Sequence, residues 1–144
     1  MKEKGFTFLE LVIVLSIISI LLVVGSSIQL KTLHTYQLNS FYKLFESDIL
    51  YLQQFNMVQA EKASLTIDVT NNQYQIKTNV NGKVLIKRTF PKDWVVKLNT
   101  LSMPLSFTSD GNLIHPGTFS IKTAYKTYYI YFPFGKGRCY IIDK

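Results

Sequence analysis

The sequence predicts an α+β protein, with one long amino-terminal helix packed on an antiparallel β-sheet. Three observations predict it. Apolar residues recur at spacings of three and four from Leu30 to Phe55. From Ser64 the pattern switches to strict alternation, with Leu65, Ile67 and Val69 separated by Thr66 and Asp68. The first proline of the chain is Pro91, so nothing before it forces a helix to break.

The chain opens with a short basic leader, residues 1–5, and continues into Phe6-Thr7-Phe8-Leu9-Glu10 and an apolar run to Val24. Between Phe6 and Val24 only Thr7, Glu10, Ser16 and Ser19 are polar. That length approaches what a bilayer core requires, about 20 residues. Glu10 is therefore costly: an ionised carboxylate at mid-bilayer costs about 2.5–3.5 kcal/mol, less near an interface. An acid in such a place is a candidate functional residue whose partner has to be named. Lys2, Lys4 and the amino terminus outnumber Glu3, which places the amino terminus in the cytoplasm and the rest of the chain outside the cell membrane. A secretory signal peptide is the competing reading, with Gly25-Ser26-Ser27 imitating its cleavage site; the apolar run is too long for it.

The helix is expected to continue past the membrane segment, from about Phe6 to about Ala60, roughly 80 Å at 1.5 Å per residue. Its first half, residues 6–28, is apolar all round; its second, residues 29–62, is amphipathic and suited to packing on a domain. Gly25-Ser26-Ser27 is the expected weak point between them. Residues 63–144 then form the β domain. Strands are predicted at Ser64–Val69, Gln73–Asn79, Lys83–Phe90, Trp94–Leu98, Leu105–Thr108, Thr118–Thr123, Lys126–Phe132 and Arg138–Ile142. The separators are Asn71-Asn72, Asn81-Gly82, Pro91, Asp110-Gly111, His115-Pro116-Gly117 and Gly135-Lys136-Gly137. The single cysteine, Cys139, excludes an internal disulfide and is read as a small buried apolar residue in a strand.

Lys4-Gly5-Phe6-Thr7-Phe8-Leu9-Glu10 closely resembles the class III signal of type IV pilins and pseudopilins. The resemblance implies a pilin-like fold, cleavage after Gly5 by a prepilin peptidase, and N-methylation of the new terminus, Phe6. It implies that Glu10 pairs with the Phe6 ammonium of a neighbouring subunit during assembly, a register device in which two charges enter a low-dielectric site together. Where many type IV pilins have a proline, this chain has Ser27. The tail is similar, at pattern level, to competence minor pseudopilins of the ComGD type: Phe107 to Gly111, Gly117-Thr118-Phe119, a Tyr-rich strand, then Gly137-Arg138. The implied function is a non-enzymatic minor subunit of a competence pseudopilus supporting DNA uptake in transformation; the alternative is a minor pseudopilin of a type II secretion or adhesive type IV pilus system. The implied partners are other pilin-like subunits, the peptidase, a membrane platform protein, and the lipid bilayer before assembly.

The residues offer little for catalysis. His34, His115 and Cys139 show no metal-ligand spacing, no nucleophile or phosphate-loop motif occurs, and no cofactor is expected. The formal net charge of +7 raises nucleic acid as a partner. Lys83, Lys87 and Arg88 are the candidate DNA contacts, and a second stretch joins Lys122, Tyr125, Lys126, Tyr128, Tyr129, Lys136 and Arg138. The plainer reading makes the lysines a solvated face and the tyrosines largely core.

Overall fold

A computed structural model describes residues 7–135 and 138–143, with the side chains of residues 24–31 outside the description. Helix α1 spans Phe8–Val58 without interruption. It is followed by β1 (Ala63–Asp68), β2 (Gln73–Thr78), β3 (Val84–Thr89), β4 (Val95–Leu98), β5 (Gly117–Lys122), β6 (Thr127–Phe132) and β7 (Tyr140–Asp143). The chain forms two compact units, Met1–Phe41 and Tyr42–Lys144.

In the first unit the helix begins with Thr7, whose Oγ1 accepts the Glu10 N–H at 3.3 Å. Thr7-x-x-Glu10 is the sequence of a capping box, so one of the orphan donors of the first turn is satisfied locally. Ser16 and Ser19 turn their hydroxyls back onto the carbonyls of Val12 and Leu15, both at 2.8 Å. The three hydroxyls of the apolar run are thereby spent on their own helix, and Glu10 is the polar side chain left to face outward. The apolar side chains from Phe8 to Val23 are exposed.

The second unit contains the remainder of α1 and all seven strands. The strands form two antiparallel sheets rather than the single one expected, in the orders β1-β2-β3 and β4-β5-β6-β7. The break falls at Pro91, which has no N–H for a ladder; Trp94 N–H instead donates to the Pro91 carbonyl at 3.1 Å, closing a turn. Phe45 on α1 joins the sheets: its ring meets Tyr74 of β2 at 5.2 Å, Phe119 of β5 at 5.5 Å and Phe132 of β6 at 6.2 Å, all edge-on. Leu52, Leu65, Ile76, Leu105, Ile121 and Ile130 complete the fully buried core.

Turn chemistry follows the sequence. Asn72 takes φ +51° and Gly82 φ +63°, a region that favours Asn and Gly. Asn81-Gly82 closes a four-residue loop, because Thr78 N–H already bonds the Lys83 carbonyl. Asp68 accepts from the Asn71 backbone and side-chain amides, which hold its carboxyl below the usual range.

Leu105–Thr108 is not a strand. It makes only the bridges Leu65↔Leu105 and Phe107↔Leu113, and its Phe107 carbonyl is taken by the side chain of Asn56 at 3.2 Å. Asn56 is fully buried. It also donates to the Ala63 carbonyl (2.9 Å) and accepts the Ala63 N–H (2.8 Å), fixing the turn from α1 into β1. The tyrosines are likewise not largely core: Tyr74 is fully buried, but Tyr125 and Tyr140 are 52% and 46% exposed, and Tyr128, Tyr129 and Tyr131 are half-buried. Alternation along β6 sends Ile130 and Phe132 inward and Tyr129 and Tyr131 outward.

Candidate functional site

Two regions carry the candidate residues, and each is built by a different element. The first is the start of α1. Gly5 and Phe6, where cleavage and methylation are expected, lie outside the described residues. Glu10 lies in the first turn of the helix and is exposed. The positive end of the helix dipole and the Thr7 cap both favour a carboxylate there. The sequence reading missed this local support; the signal was the Thr7-x-x-Glu10 spacing. Among the described residues no helix is long and apolar enough to cross a membrane. The described side chains of the apolar run cover residues 7–23, whereas the run in the sequence extends from Phe6 to Val24.

The second region is the β domain, where the structure separates the three candidate DNA contacts. Lys83 stands in the loop before β3, and Lys87 is exposed on β3. Arg88, adjacent in sequence, points to the opposite face and pairs with Tyr74 across the strands. Its guanidinium engages Asp48 of α1, Nε to Oδ2 at 3.2 Å and Nη2 to Oδ1 at 3.5 Å. The same Oδ2 accepts the Tyr74 hydroxyl at 2.7 Å. Asp48 is 4% exposed, so this is a nearly buried acid held by a cation and a phenol. Burial, and then the Asp48 hydrogen bond, push the Tyr74 phenol well above its ordinary range; the same carboxylate raises Arg88. The arrangement joins helix to sheet and leaves Lys83 and Lys87 as the members of the trio not engaged by Asp48; Arg88, although 41% exposed, is held by that carboxylate.

Cys139 is buried and free, directly before β7. Burial raises its thiol to about 11, so it is a poor nucleophile at neutral pH. The Tyr42 hydroxyl donates to its carbonyl at 2.8 Å. His115 is exposed in the loop before β5, and His34 is half-buried in α1. Among the described residues no group of His, Cys, Asp or Glu is placed to hold a metal ion. At the far edge of the second sheet Lys126 and Asp143 form an exposed pair at 2.7 Å.

Residues 1–26 match the family model of the prokaryotic N-terminal methylation motif. No curated protein and no solved structure matches the chain. The match supports a type IV pilin or pseudopilin class for this chain, and the α+β architecture is compatible with a pilin-like fold.

Proposed function

We infer that the protein is a non-enzymatic, pilin-like subunit. A prepilin peptidase cuts it after Gly5, Phe6 becomes the methylated terminus, and residues 6–28 anchor it in the cell membrane until it is drawn into a surface filament. The domain from residue 63 onward faces out of the cell. The observation that carries this reading is the amino-terminal motif match combined with a lone carboxylate, Glu10, in the first turn of the apolar segment that opens α1. In the assembled filament the Phe6 ammonium of the adjacent subunit neutralises Glu10, so neither charge enters the apolar core alone. The finer assignment is a minor pseudopilin of a competence system that supports DNA uptake, favoured by the tail pattern of Phe107 to Gly111, Gly117-Thr118-Phe119 and Arg138. A membrane platform protein and other pilin-like subunits are its partners.

The test is co-expression with an active prepilin peptidase and mass spectrometry of the membrane-extracted product. The expected product begins at Phe6 and carries one added methyl group. An intact leader would refute the reading. Glu10→Gln then separates charge from capping: a glutamine keeps the backbone N–H that bonds the Thr7 hydroxyl and remains a capping-box residue, and removes the charge. Normal incorporation of this variant into filaments would exclude the charge-pair role.

A further inference from the structure

We propose that the outward face of the second sheet is a binding platform for a single-stranded polynucleotide. The strand register defines that face. Across β4-β5-β6-β7 it places Lys97, Ser120, Tyr129 and Ile142 in one row. Thr118, Tyr131 and Tyr140 form the next row, and Val95, Lys122 and Thr127 the row on the other side. The opposite face is the core side, with Val96, Phe119, Ile121, Ile130 and Phe132 buried.

Three properties of the outward face point to one ligand chemistry. Its aromatic groups are contiguous: Tyr131 and Tyr140 stack at 5.2 Å with planes only 10° apart, and Tyr129 lies 6.5 Å from Tyr131. Near-parallel rings offer π-faces on which unstacked bases can continue the stack. Its charge is of one sign: Lys97 and Lys122 are exposed, and no acid stands among the outward positions of the four strands. Asp143 falls on the other face of β7, against Lys126. Finally, the aromatic row ends in an open concavity of about 330 Å³ lined by Thr118, Tyr131, Tyr140, Pro133 and Phe134, the last 88% exposed. Lysines on β4 and β5 beside tyrosines on β6 and β7 match a sugar-phosphate backbone running alongside its splayed bases. A duplex keeps its base faces stacked internally and leaves the tyrosines nothing to stack on. The inference does not depend on the filament reading, since it concerns the folded domain.

The test uses the full-length chain in non-ionic detergent and the fluorescence anisotropy of a labelled short oligothymidylate at low salt, with a duplex of equal length as competitor. The single strand is expected to bind more tightly than the duplex. Tyr131→Ser and Tyr140→Ser are expected to weaken it by about 5- to 150-fold each, the range for loss of one base–aromatic stack. Tyr131→Phe and Tyr140→Phe keep the π-face and should bind as the parent does. The Lys97→Gln, Lys122→Gln pair should lower the salt slope by about 1.4, at roughly 0.7 per phosphate on single strands. Should a Tyr→Ser variant fail to fold, the lysine pair and the duplex comparison still decide. Any of five results overturns the proposal: no binding, duplex bound as tightly as single strand, folded Tyr→Ser variants that bind normally, a salt slope unchanged in the Lys97→Gln, Lys122→Gln pair, or binding abolished by Lys83→Gln with Lys87→Gln instead. Because mass spectrometry of the amino terminus reports separately on leader cleavage, loss of this inference and loss of the pilin reading are distinguishable.

Discussion

Asp48→Ala should be among the most damaging single substitutions in the β domain. The carboxylate is 4% exposed and is the acceptor for both the Tyr74 hydroxyl and the Arg88 guanidinium. Its removal strands a hydroxyl on Tyr74, which is fully buried; an unsatisfied buried donor costs about 1–3 kcal/mol. It also releases Arg88, whose side chain is 41% exposed, so water recovers much of that guanidinium and only about 1 kcal/mol is assigned to the lost pair. Together these give a loss of about 2–4 kcal/mol. For a unit of about 100 residues this lowers Tm by roughly 10–20 °C. The assay is urea and thermal unfolding of the full-length chain in detergent, followed by near-ultraviolet circular dichroism. Tyr74→Phe, which removes only the hydroxyl, should cost about 1 kcal/mol. Asp48→Ala combined with Arg88→Ala should cost clearly less than the sum of the two single changes, since residues sharing a network couple by about 0.5–3 kcal/mol. An Asp48→Ala protein within about 0.5 kcal/mol of the parent, or strict additivity with Arg88→Ala, would refute the clamp.

The remaining predictions concern three other points of the domain. A Cβ on Gly117 would lie 2.6 Å from Leu101 Cα and 2.7 Å from the Thr100 carbonyl oxygen; Gly117→Ala should destabilise by about 1–3 kcal/mol as overpacking against backbone, measured by urea midpoint. Asn56→Leu leaves the Ala63 N–H and the Phe107 carbonyl without the side chain that serves them, while the Ala63 carbonyl keeps the Ser106 hydroxyl, and should cost about 2–4 kcal/mol, with faster amide exchange at Ala63 as the local signature. The Cys139 thiol is raised by burial from 9 to about 11. Folding therefore favours the protonated thiol: its contribution is complete below pH 9 and is lost as pH rises through 11, by about 2–3 kcal/mol. Cys139→Ala should flatten that alkaline decline, and thiol reagents should label the parent protein no faster than it opens.

The helix and most of the strands were legible because each depends on a local period. The three-and-four spacing from Leu30 to Phe55 and the alternation from Ser64 survive in α1 and β1 almost to the residue. The Gly82 and Asn72 turns were equally legible, since a positive φ selects among very few residue types. What failed was whatever depended on a distant partner. Leu105–Thr108 alternates as a strand does, yet Asn56 claims one of its carbonyls and only isolated bridges form.

For the candidate sites the division is the same. The amino-terminal motif, including Glu10, is read from consecutive residues, because a peptidase and a membrane act on a short stretch of chain in order. The fate of Lys83, Lys87 and Arg88 is not. Of three cations near one another in sequence, Lys83 stays in a loop, the pleat parts Lys87 from Arg88, and Arg88 turns to an acid forty residues earlier on the helix. The tyrosine face of the second sheet was hidden in the same way. Composition alone determined that the chain is rich in tyrosine and lysine, and period that they lie on strands. Only the pairing of β6 with β5 and β7 decided that Tyr129, Tyr131 and Tyr140 share one outward surface. Local periodicity encodes which face a residue takes within its own strand, whereas the choice of neighbours is made by the packing of the whole domain.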